Sequence, residues 1–264
     1  MLLEIEQLHL SFVAGDTPAH ILTGIDVDIA PGELIGLVGE SGSGKSTTVR
    51  AALRLYGDEA EIYGRILLDG VDMVQADATE QRRVRASSVA LVQQDPRAAL
   101  NPVRRIGDSL AERLVKVHGM RRAEADQRIL SLLTEVGLTH PERRMRQYPH
   151  ELSGGMLQRV VIAGALSTDP KLILADEATS ALDVTTQAEI IAMFQRQIRE
   201  RGLGMLFITH DLHLAGAICD RIHVLQRGEI VETLQRPGLF DAASHPYTRT
   251  LIESAPALAR KGRS

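Results

Sequence analysis

The sequence has few cysteines, few aromatic side chains and no long apolar run. Its 264 residues include one cysteine, Cys219, no tryptophan, and 3% aromatic residues. A single cysteine excludes an internal disulfide, fits a reducing compartment, and is most often a small buried hydrophobic residue. The longest apolar run, 160–166, is far shorter than the roughly 20 residues of a membrane-spanning helix. If the protein serves a membrane process, we expect another polypeptide to supply the membrane part.

Neither end of the chain carries a basic tract. The formal net charge is −4, with 30 Lys plus Arg against 34 Asp plus Glu. This balance argues against a nucleic-acid partner. Only four of the basic residues are lysines, and one of them is Lys45. A compact ammonium fits inside a ring of phosphate-binding amides more easily than a planar guanidinium does. The 44% of apolar residues is ordinary for a globular protein with one substantial core.

A glycine-rich segment follows the apolar run 34–38. Its residues are Gly39, Glu40, Ser41, Gly42, Ser43, Gly44, Lys45, Ser46 and Thr47. They match G-x-x-x-x-G-K-[ST] between a predicted strand and a predicted helix over 45–55. Glycines let backbone N–H groups face a phosphate, and the start of the helix adds its positive end. The sequence therefore predicts a nucleoside triphosphate site, with Lys45 at the outer phosphates and the Ser46 hydroxyl on Mg²⁺.

Two acids end the apolar strand predicted over 172–175. Asp176 and Glu177 would lie at the carboxyl end of a core strand, where open α/β sheets bind their ligands. Asp176 is predicted to hold Mg²⁺ directly or through its water, and Glu177 to polarise the attacking water. The alternative is a surface turn with ordinary acids, which the neighbouring phosphate loop makes the weaker interpretation.

The spacing of apolar residues divides the chain into three regions. Alternating apolar and polar positions before residue 35 predict a half-exposed antiparallel sheet. Apolar runs beside helical stretches after residue 160 predict α/β layers around a mainly parallel sheet. Between residues 97 and 160 the period is helical, and one predicted helix presents Ile106, Leu110, Leu114 and Val117 on its buried face.

The segment 152–159 reads Leu-Ser-Gly-Gly-Met-Leu-Gln-Arg. Ser153 is a predicted N-cap, and the two glycines leave backbone amides open at a second helix start near Met156. These eight residues resemble the signature sequence of ATP-binding cassette (ABC) proteins. The resemblance extends along the chain to Walker A over 39–47, Walker B over 172–177, the Q-loop residue Gln94, the D-loop 180–183 and the switch residue His210.

The resemblance implies an α/β fold: a P-loop NTPase (RecA-like) core with an antiparallel β subdomain and an inserted helical subdomain. The core and β subdomain would span 1–96 and 161–235, the helical subdomain 97–160, and a C-terminal helical tail 236–264. ATP and Mg²⁺ are the implied cofactors. The implied catalytic residues are Glu177, His210 and Gln94, and the metal-binding residues are Ser46, Gln94 and Asp176. The nucleotide contacts outside Walker A are Phe12, Ser153, Gly154, Gly155, Gln158 and Asp183. Phe12 is either the aromatic that stacks on adenine or a core residue.

Three further segments resemble the oligopeptide, dipeptide and nickel branch of the importer ATPases: 94–102, 148–156 and 245–249. This branch implies a head-to-tail dimer with ATP between the subunits, formed by two different ATPase subunits. It also implies two integral membrane permease subunits, one docking near 96–102, an indirect solute-binding protein, no nucleic acid, and a peripheral location on the cytoplasmic face of the cell membrane. The alternatives are a soluble ABC ATPase of DNA repair or translation, and an export or lipoprotein-extraction ATPase.

Overall fold

The computed structural model describes residues 1–14, 17–180 and 182–254. Two sheets form its framework. The first is antiparallel, has the order β2-β1-β4-β5, and consists of β1 (Leu3–Ala14), β2 (Thr17–Ile29), β4 (Ala60–Leu68) and β5 (Val71–Asp72). The second has the order β10-β9-β3-β8-β7-β6. Its strands are β3 (Leu34–Val38), β6 (Val89–Val92), β7 (Leu172–Asp176), β8 (Gly204–Thr209), β9 (Arg221–Gln226) and β10 (Glu229–Gln235).

The second sheet is parallel except at one edge, where β10 pairs antiparallel with β9. Every residue of β3 and of β8 is buried. Parallel strands covered on both faces carry continuous apolar runs because neither face meets water. The predicted α/β fold with an antiparallel N-terminal sheet and a mainly parallel core is confirmed.

The helices cover this sheet and build the insert. They are α1 (Lys45–Ala52), α2 (Ala78–Ser87), α3 (Ile106–Lys116), α4 (Arg122–Glu135), α5 (Pro141–Arg146), α6 (Gly154–Leu166), α7 (Val184–Arg201), α8 (Leu212–Ile218) and α9 (Pro246–Ser254). Helices α3, α4 and α5 pack on one another, and α4 also contacts α6. Helix α6 returns the chain to the core sheet at β6. In the part of the chain that the structure describes, no helix combines the length and the apolarity needed to cross a bilayer.

Three helix boundaries differ from the sequence-based prediction. Helix α1 ends at Ala52 and not at residue 55, because Arg54 adopts a left-handed backbone conformation with φ +52°. Helix α3 ends at Lys116, so Val117 lies beyond its buried face and is 57% exposed. The predicted C-terminal helical tail begins only at Pro246, after turns, and residues 255–264 lie outside the described residues.

Cys219 lies behind the central strand of the sheet. It is fully buried, and its Sγ is 3.1 Å from the position that a Cβ on Gly36 would occupy. Burial raises the pKa of the thiol, so it stays protonated at neutral pH. Its predicted role as a small buried hydrophobic residue is confirmed.

Candidate active site

The phosphate loop connects the buried end of β3 to the start of α1. Gly42 and Gly44 have φ +81° and φ +110°, which side chains with a Cβ rarely adopt. A Cβ on Gly39 would lie 2.1 Å from the carbonyl oxygen of Leu225. Glycine at position 39 therefore lets the loop lie directly against β9.

Lys45 is the first residue of α1 and is buried. Its Nζ donates to the carbonyl oxygens of Gly39 at 2.8 Å and Glu40 at 2.7 Å. Burial lowers the pKa of this ammonium, while the carboxylates of Glu177 and Asp176 oppose that shift. The positive charge thus lies between the phosphate loop and the two acids predicted from the sequence.

Ser46 and Asp176 approach each other from α1 and β7. The Ser46 hydroxyl donates to Asp176 Oδ1 at 2.8 Å. Burial raises the pKa of Asp176, and the Ser46 hydrogen bond partly offsets this effect. Among the described residues, no cluster of three or more His, Cys, Asp or Glu side chains is suited to hold a metal ion. A hydroxyl with one carboxylate nevertheless fits Mg²⁺, which keeps waters and completes its shell with substrate phosphates.

Glu177 follows β7 in a left-handed conformation with φ +49°. A non-glycine residue with this φ stores strain of the kind that clusters at functional sites. Its backbone N–H donates to the Ile208 carbonyl at 3.1 Å, and its carbonyl accepts from the Ser180 N–H at 3.1 Å. These two backbone contacts hold the carboxylate at the carboxyl end of the sheet.

The three residues predicted to be catalytic meet at this carboxylate. Glu177 Oε2 lies 3.2 Å from Gln94 Nε2 and 3.7 Å from His210 Nδ1. They follow β6, β7 and β8, which are neighbours in the parallel sheet, so their carboxyl ends share one edge. The His210 side chain is 61% exposed and that of Glu177 is 20% exposed, which leaves the group open to a ligand.

Ser153 and Asp183 form a second group at the starts of two helices. Each caps its helix: Ser153 Oγ accepts from the Met156 N–H at 3.4 Å, and Asp183 accepts from the Thr186 N–H at 3.0 Å. The Thr186 N–H and hydroxyl bonds lower the pKa of Asp183. Thr186 Cγ2 also lies 3.0 Å from where a Cβ on Gly155 would be, so the two helix starts are adjacent.

This second group is separate from the phosphate loop. Ser153, Gly154 and Asp183 are exposed, and no hydrogen bond between described residues joins them to residues 39–47. Within one chain, most of the predicted nucleotide contacts therefore form two clusters.

Two predicted nucleotide contacts lie apart from both clusters. Gln158 is 1% exposed, and its Nε2 has no hydrogen-bond partner among the described residues. It points into the interior and not to the exposed surface at Ser153. Phe12 on β1 is half-buried and packs edge-to-face on Tyr56, with ring centroids 5.2 Å apart. This contact favours the core alternative considered for Phe12, and its stacking on adenine stays a prediction.

Sequence reasoning missed two residues that contact the phosphate loop. The Glu40 N–H donates to the Tyr247 hydroxyl at 3.0 Å, and the Gly228 N–H donates to the Ser43 carbonyl at 2.8 Å. The segment 245–249 stands out in the sequence through its resemblance to a branch of importer ATPases. Nothing in the local pattern indicates that its tyrosine reaches a loop 207 residues earlier in the chain.

Glu232 on β10 anchors the segment that carries Tyr247. Its Oε1 accepts from the Ser244 N–H at 2.6 Å, the Ser244 hydroxyl at 2.7 Å and the His245 N–H at 3.1 Å. Burial opposes ionisation of this carboxyl, but the hydroxyl and amide donors outweigh it and lower the pKa of Glu232 to about 2. A carboxylate with several donors is strongly favoured in its charged form.

Glu232→Gln is therefore expected to reduce stability in a pH-dependent way. A depressed carboxyl pKa contributes stability above its unfolded value of 4.5, and this contribution is lost as the pH falls towards about 2. The difference in unfolding free energy between wild type and Glu232→Gln should be constant near pH 7 and shrink from pH 4.5 downward. Urea unfolding at a series of pH values measures it. A difference that stays constant below pH 4.5 would contradict the assignment.

Comparison with known proteins agrees with this geometry. The family model described as ABC transporter matches residues 22–180. The chain is 40% identical over 266 residues to the probable peptide ABC transporter ATP-binding protein y4tR of Sinorhizobium fredii, covering 100% of this chain and 79% of that protein. It is 40% identical over 263 residues to the oligopeptide transport ATP-binding protein OppD of Bacillus subtilis, covering 99% and 74%.

A third relative is much longer than this chain. The peptidoglycan transport ATP-binding protein YejF of Agrobacterium fabrum is 42% identical over 257 residues, which cover 97% of this chain and 47% of that protein. Among solved structures, a dimeric post-hydrolysis state of the ATP-binding cassette MJ0796 bound to ADP and Pi matches with TM-score 0.80 and 28% identity. It covers 89% of this chain and 99% of that one. The chain belongs to the ABC transporter family and carries the ATPase domain of that family.

Proposed function

We propose that the chain hydrolyses ATP as one nucleotide-binding subunit of a membrane importer for peptides. The observation that supports this most directly is the meeting of Gln94, Glu177 and His210 beside the phosphate loop. The relatives are named as peptide, oligopeptide and peptidoglycan transport ATP-binding proteins. Their names favour peptides over nickel or metal chelates as the transported class.

In the proposed reaction, each group of site residues has a separate role. The loop amides and Lys45 bind the phosphates, because several fixed donors surround one anion. Ser46 and Asp176 hold Mg²⁺, with Gln94 as a further predicted ligand. When bound, the ion offsets negative charge on the β- and γ-phosphates.

Glu177 orients the attacking water and accepts its proton, since its carboxylate lies at the loop and is only 20% exposed. Gln94 Nε2 bonds Glu177 at 3.2 Å and Ser180 Oγ at 3.3 Å, and so connects the carboxylate to the segment that enters the helical insert. His210, exposed and within 3.7 Å of Glu177, contacts the γ-phosphate.

The second cluster completes the site of a partner subunit. Ser153, Gly154 and Asp183 are exposed at the starts of α6 and α7, away from the phosphate loop of the same chain. In a head-to-tail dimer the second cluster of each subunit faces the triphosphate on the other subunit and excludes water from it. Hydrolysis breaks the bond to the γ-phosphate, and once inorganic phosphate leaves the site the anion that both halves bind is lost and the dimer opens. We propose a second, different ATPase subunit as the partner.

The membrane partners are two integral membrane permease subunits, which the chain contacts from the cytoplasmic face of the membrane, and a solute-binding protein acts through them. The proposed docking surface is the segment 96–102. It is largely exposed, and Val103, the next residue, is 79% exposed. An exposed apolar side chain at the end of the segment that follows the Q-loop residue Gln94 suits a contact that transmits dimer closure to a membrane helix.

The test is isolation of the assembled complex. The chain is co-expressed with the membrane proteins encoded by neighbouring genes and purified in detergent, and ATP hydrolysis is measured with and without a solute-binding protein. Copurification with an integral membrane protein and stimulation by peptide-loaded binding protein are the expected results. Hydrolysis by a chain that purifies only with soluble proteins or nucleic acid would reject the importer. Stimulation by nickel but not by peptide would reject the cargo class.

A further inference from the structure

We propose that Tyr247 is a positioning residue for the phosphate loop, and that its hydroxyl raises the affinity of the loop for the triphosphate. The inference rests on the proposed function, because it assumes that this loop binds ATP. It adds a residue from the last described helix to a site that the sequence motifs place elsewhere in the chain.

The contact acts on a residue whose backbone already supports Lys45. The Glu40 N–H donates to the Tyr247 hydroxyl at 3.0 Å, and the Glu40 carbonyl accepts from Lys45 Nζ at 2.7 Å. The backbone N–H and carbonyl of Glu40 are therefore both hydrogen-bonded. The N–H bonds Tyr247 outside the loop, and the carbonyl bonds Lys45 inside it. A shift of Glu40 would move a carbonyl that holds the lysine ammonium.

A second contact holds the same loop from the same side. The Gly228 N–H donates to the Ser43 carbonyl at 2.8 Å, and the Gly228 carbonyl accepts from the Thr23 N–H at 2.8 Å. Gly228 has φ +83°, and a Cβ there would lie 2.1 Å from the Ile21 carbonyl oxygen. We call Gly228 and Tyr247 the C-terminal clamp. It holds both ends of the segment 40–43.

The tyrosine of the C-terminal clamp is itself well fixed. Its side chain is buried, its backbone N–H lies 3.3 Å from His245 Nδ1, and the preceding Ser244 and His245 are bound to the Glu232 carboxylate. Burial raises the pKa of Tyr247, so the phenol is neutral and keeps its proton at physiological pH. A rigid acceptor is what a positioning role needs, because a mobile one would not reduce the freedom of the loop.

The segment 40–43 borders a cavity of about 340 Å³ that also reaches Arg227 and Tyr247. A loop that binds phosphate through its amides pays for ordering them unless they are held in place beforehand. A neutral hydrogen bond typically changes an equilibrium about two- to tenfold. This is the contribution we assign to the Tyr247 hydroxyl.

The test compares two Tyr→Phe variants of the full chain. Tyr247→Phe removes the hydroxyl and keeps the ring. Tyr63→Phe removes a hydroxyl that bonds Glu61 at 3.2 Å on β4, where Tyr63 is 59% exposed. We measure the Kd for ATP, kcat and KM in the assembled complex, and hydrogen exchange at the Glu40 amide. Tyr247→Phe should raise Kd and KM about two- to tenfold, change kcat by less than about twofold, and speed exchange at Glu40. Tyr63→Phe should match wild type in all four.

Glu232→Gln supplies an independent variant that leaves the hydroxyl in place. By loosening the anchor of the segment it should raise Kd in the same direction, and it should add little in the Tyr247→Phe background because both changes act on one contact. A Tyr247→Phe chain with a lower Tm but an ATP Kd equal to that of Tyr63→Phe has lost only packing, and this outcome overturns the inference. A wild-type chain that binds no ATP rejects the proposed function itself, which separates the two failures.

Discussion

Replacement of Glu177 by Gln is expected to leave ATP bound and nearly stop its hydrolysis. The amide keeps the size of the side chain and its contacts with Gln94 and His210 but cannot accept a proton from water. Loss of a general base costs about 10²- to 10⁴-fold in rate. The phosphate loop, with Lys45 and Ser46, is unchanged, so the Kd for ATP should stay within about twofold of wild type. Single-turnover hydrolysis and equilibrium ATP binding measure the two quantities in the assembled complex.

Glu200→Gln is the matched control. It makes the same chemical change at an exposed position near the end of α7, and it should hydrolyse ATP at the wild-type rate. Wild-type turnover by Glu177→Gln would show that another group accepts the proton. Loss of ATP binding in this variant would show that Glu177 holds the nucleotide and not the water.

Ser153→Arg is expected to abolish turnover of the assembled complex while the isolated chain still binds ATP. Ser153 is exposed at the start of α6 and separate from the phosphate loop of its own chain. In the proposed dimer an arginine there meets the partner subunit across the nucleotide, where it prevents the two halves from closing. Removing one preorganised donor of a closed site costs about 10²- to 10³-fold, and a blocked interface should cost at least as much.

Ser153→Thr and Ser153→Ala separate the interface from the helix cap. Threonine keeps the capping hydroxyl and should retain most of the turnover. Alanine loses a cap worth about 1 kcal/mol and the hydroxyl that faces the nucleotide of the partner subunit, but it adds no bulk, so it should lower activity less than arginine does. Normal ATP hydrolysis by the Ser153→Arg variant would contradict the proposal that two subunits form the site. So would a trapped complex in which one chain alone encloses the triphosphate during turnover.

The elements that could be predicted are those whose pattern is local. The strand over 34–38 and the glycines before Lys45 identify the phosphate loop because a buried strand, a tight turn and a helix start each have a short-range cause. The N-cap at Ser153 follows from the same logic. The end of α3 was harder, because Val117 continues the apolar period although the helix stops one residue before it.

Long-range contacts explain what sequence reasoning missed. The edge strand β10 and the residues of the C-terminal clamp, Gly228 and Tyr247, were missed because their roles depend on tertiary contacts. The two clamp residues bond a loop that lies far earlier in the chain. The buried side chain of Gln158 is another case, since its exposure depends on which face of α6 the core covers. No period or spacing encodes these pairings.

By itself the sequence determined the family, the phosphate loop and the two acids that end β7. Each of these was predicted from motifs, and a motif depends only on a short stretch of chain. Only the tertiary structure decided that Gln94 and His210 both lie beside the Glu177 carboxylate, since the strand order places the carboxyl ends of β6, β7 and β8 side by side. It also decided that Tyr247 contacts Glu40, because hydrogen bonds depend on distance in space and not on separation along the chain.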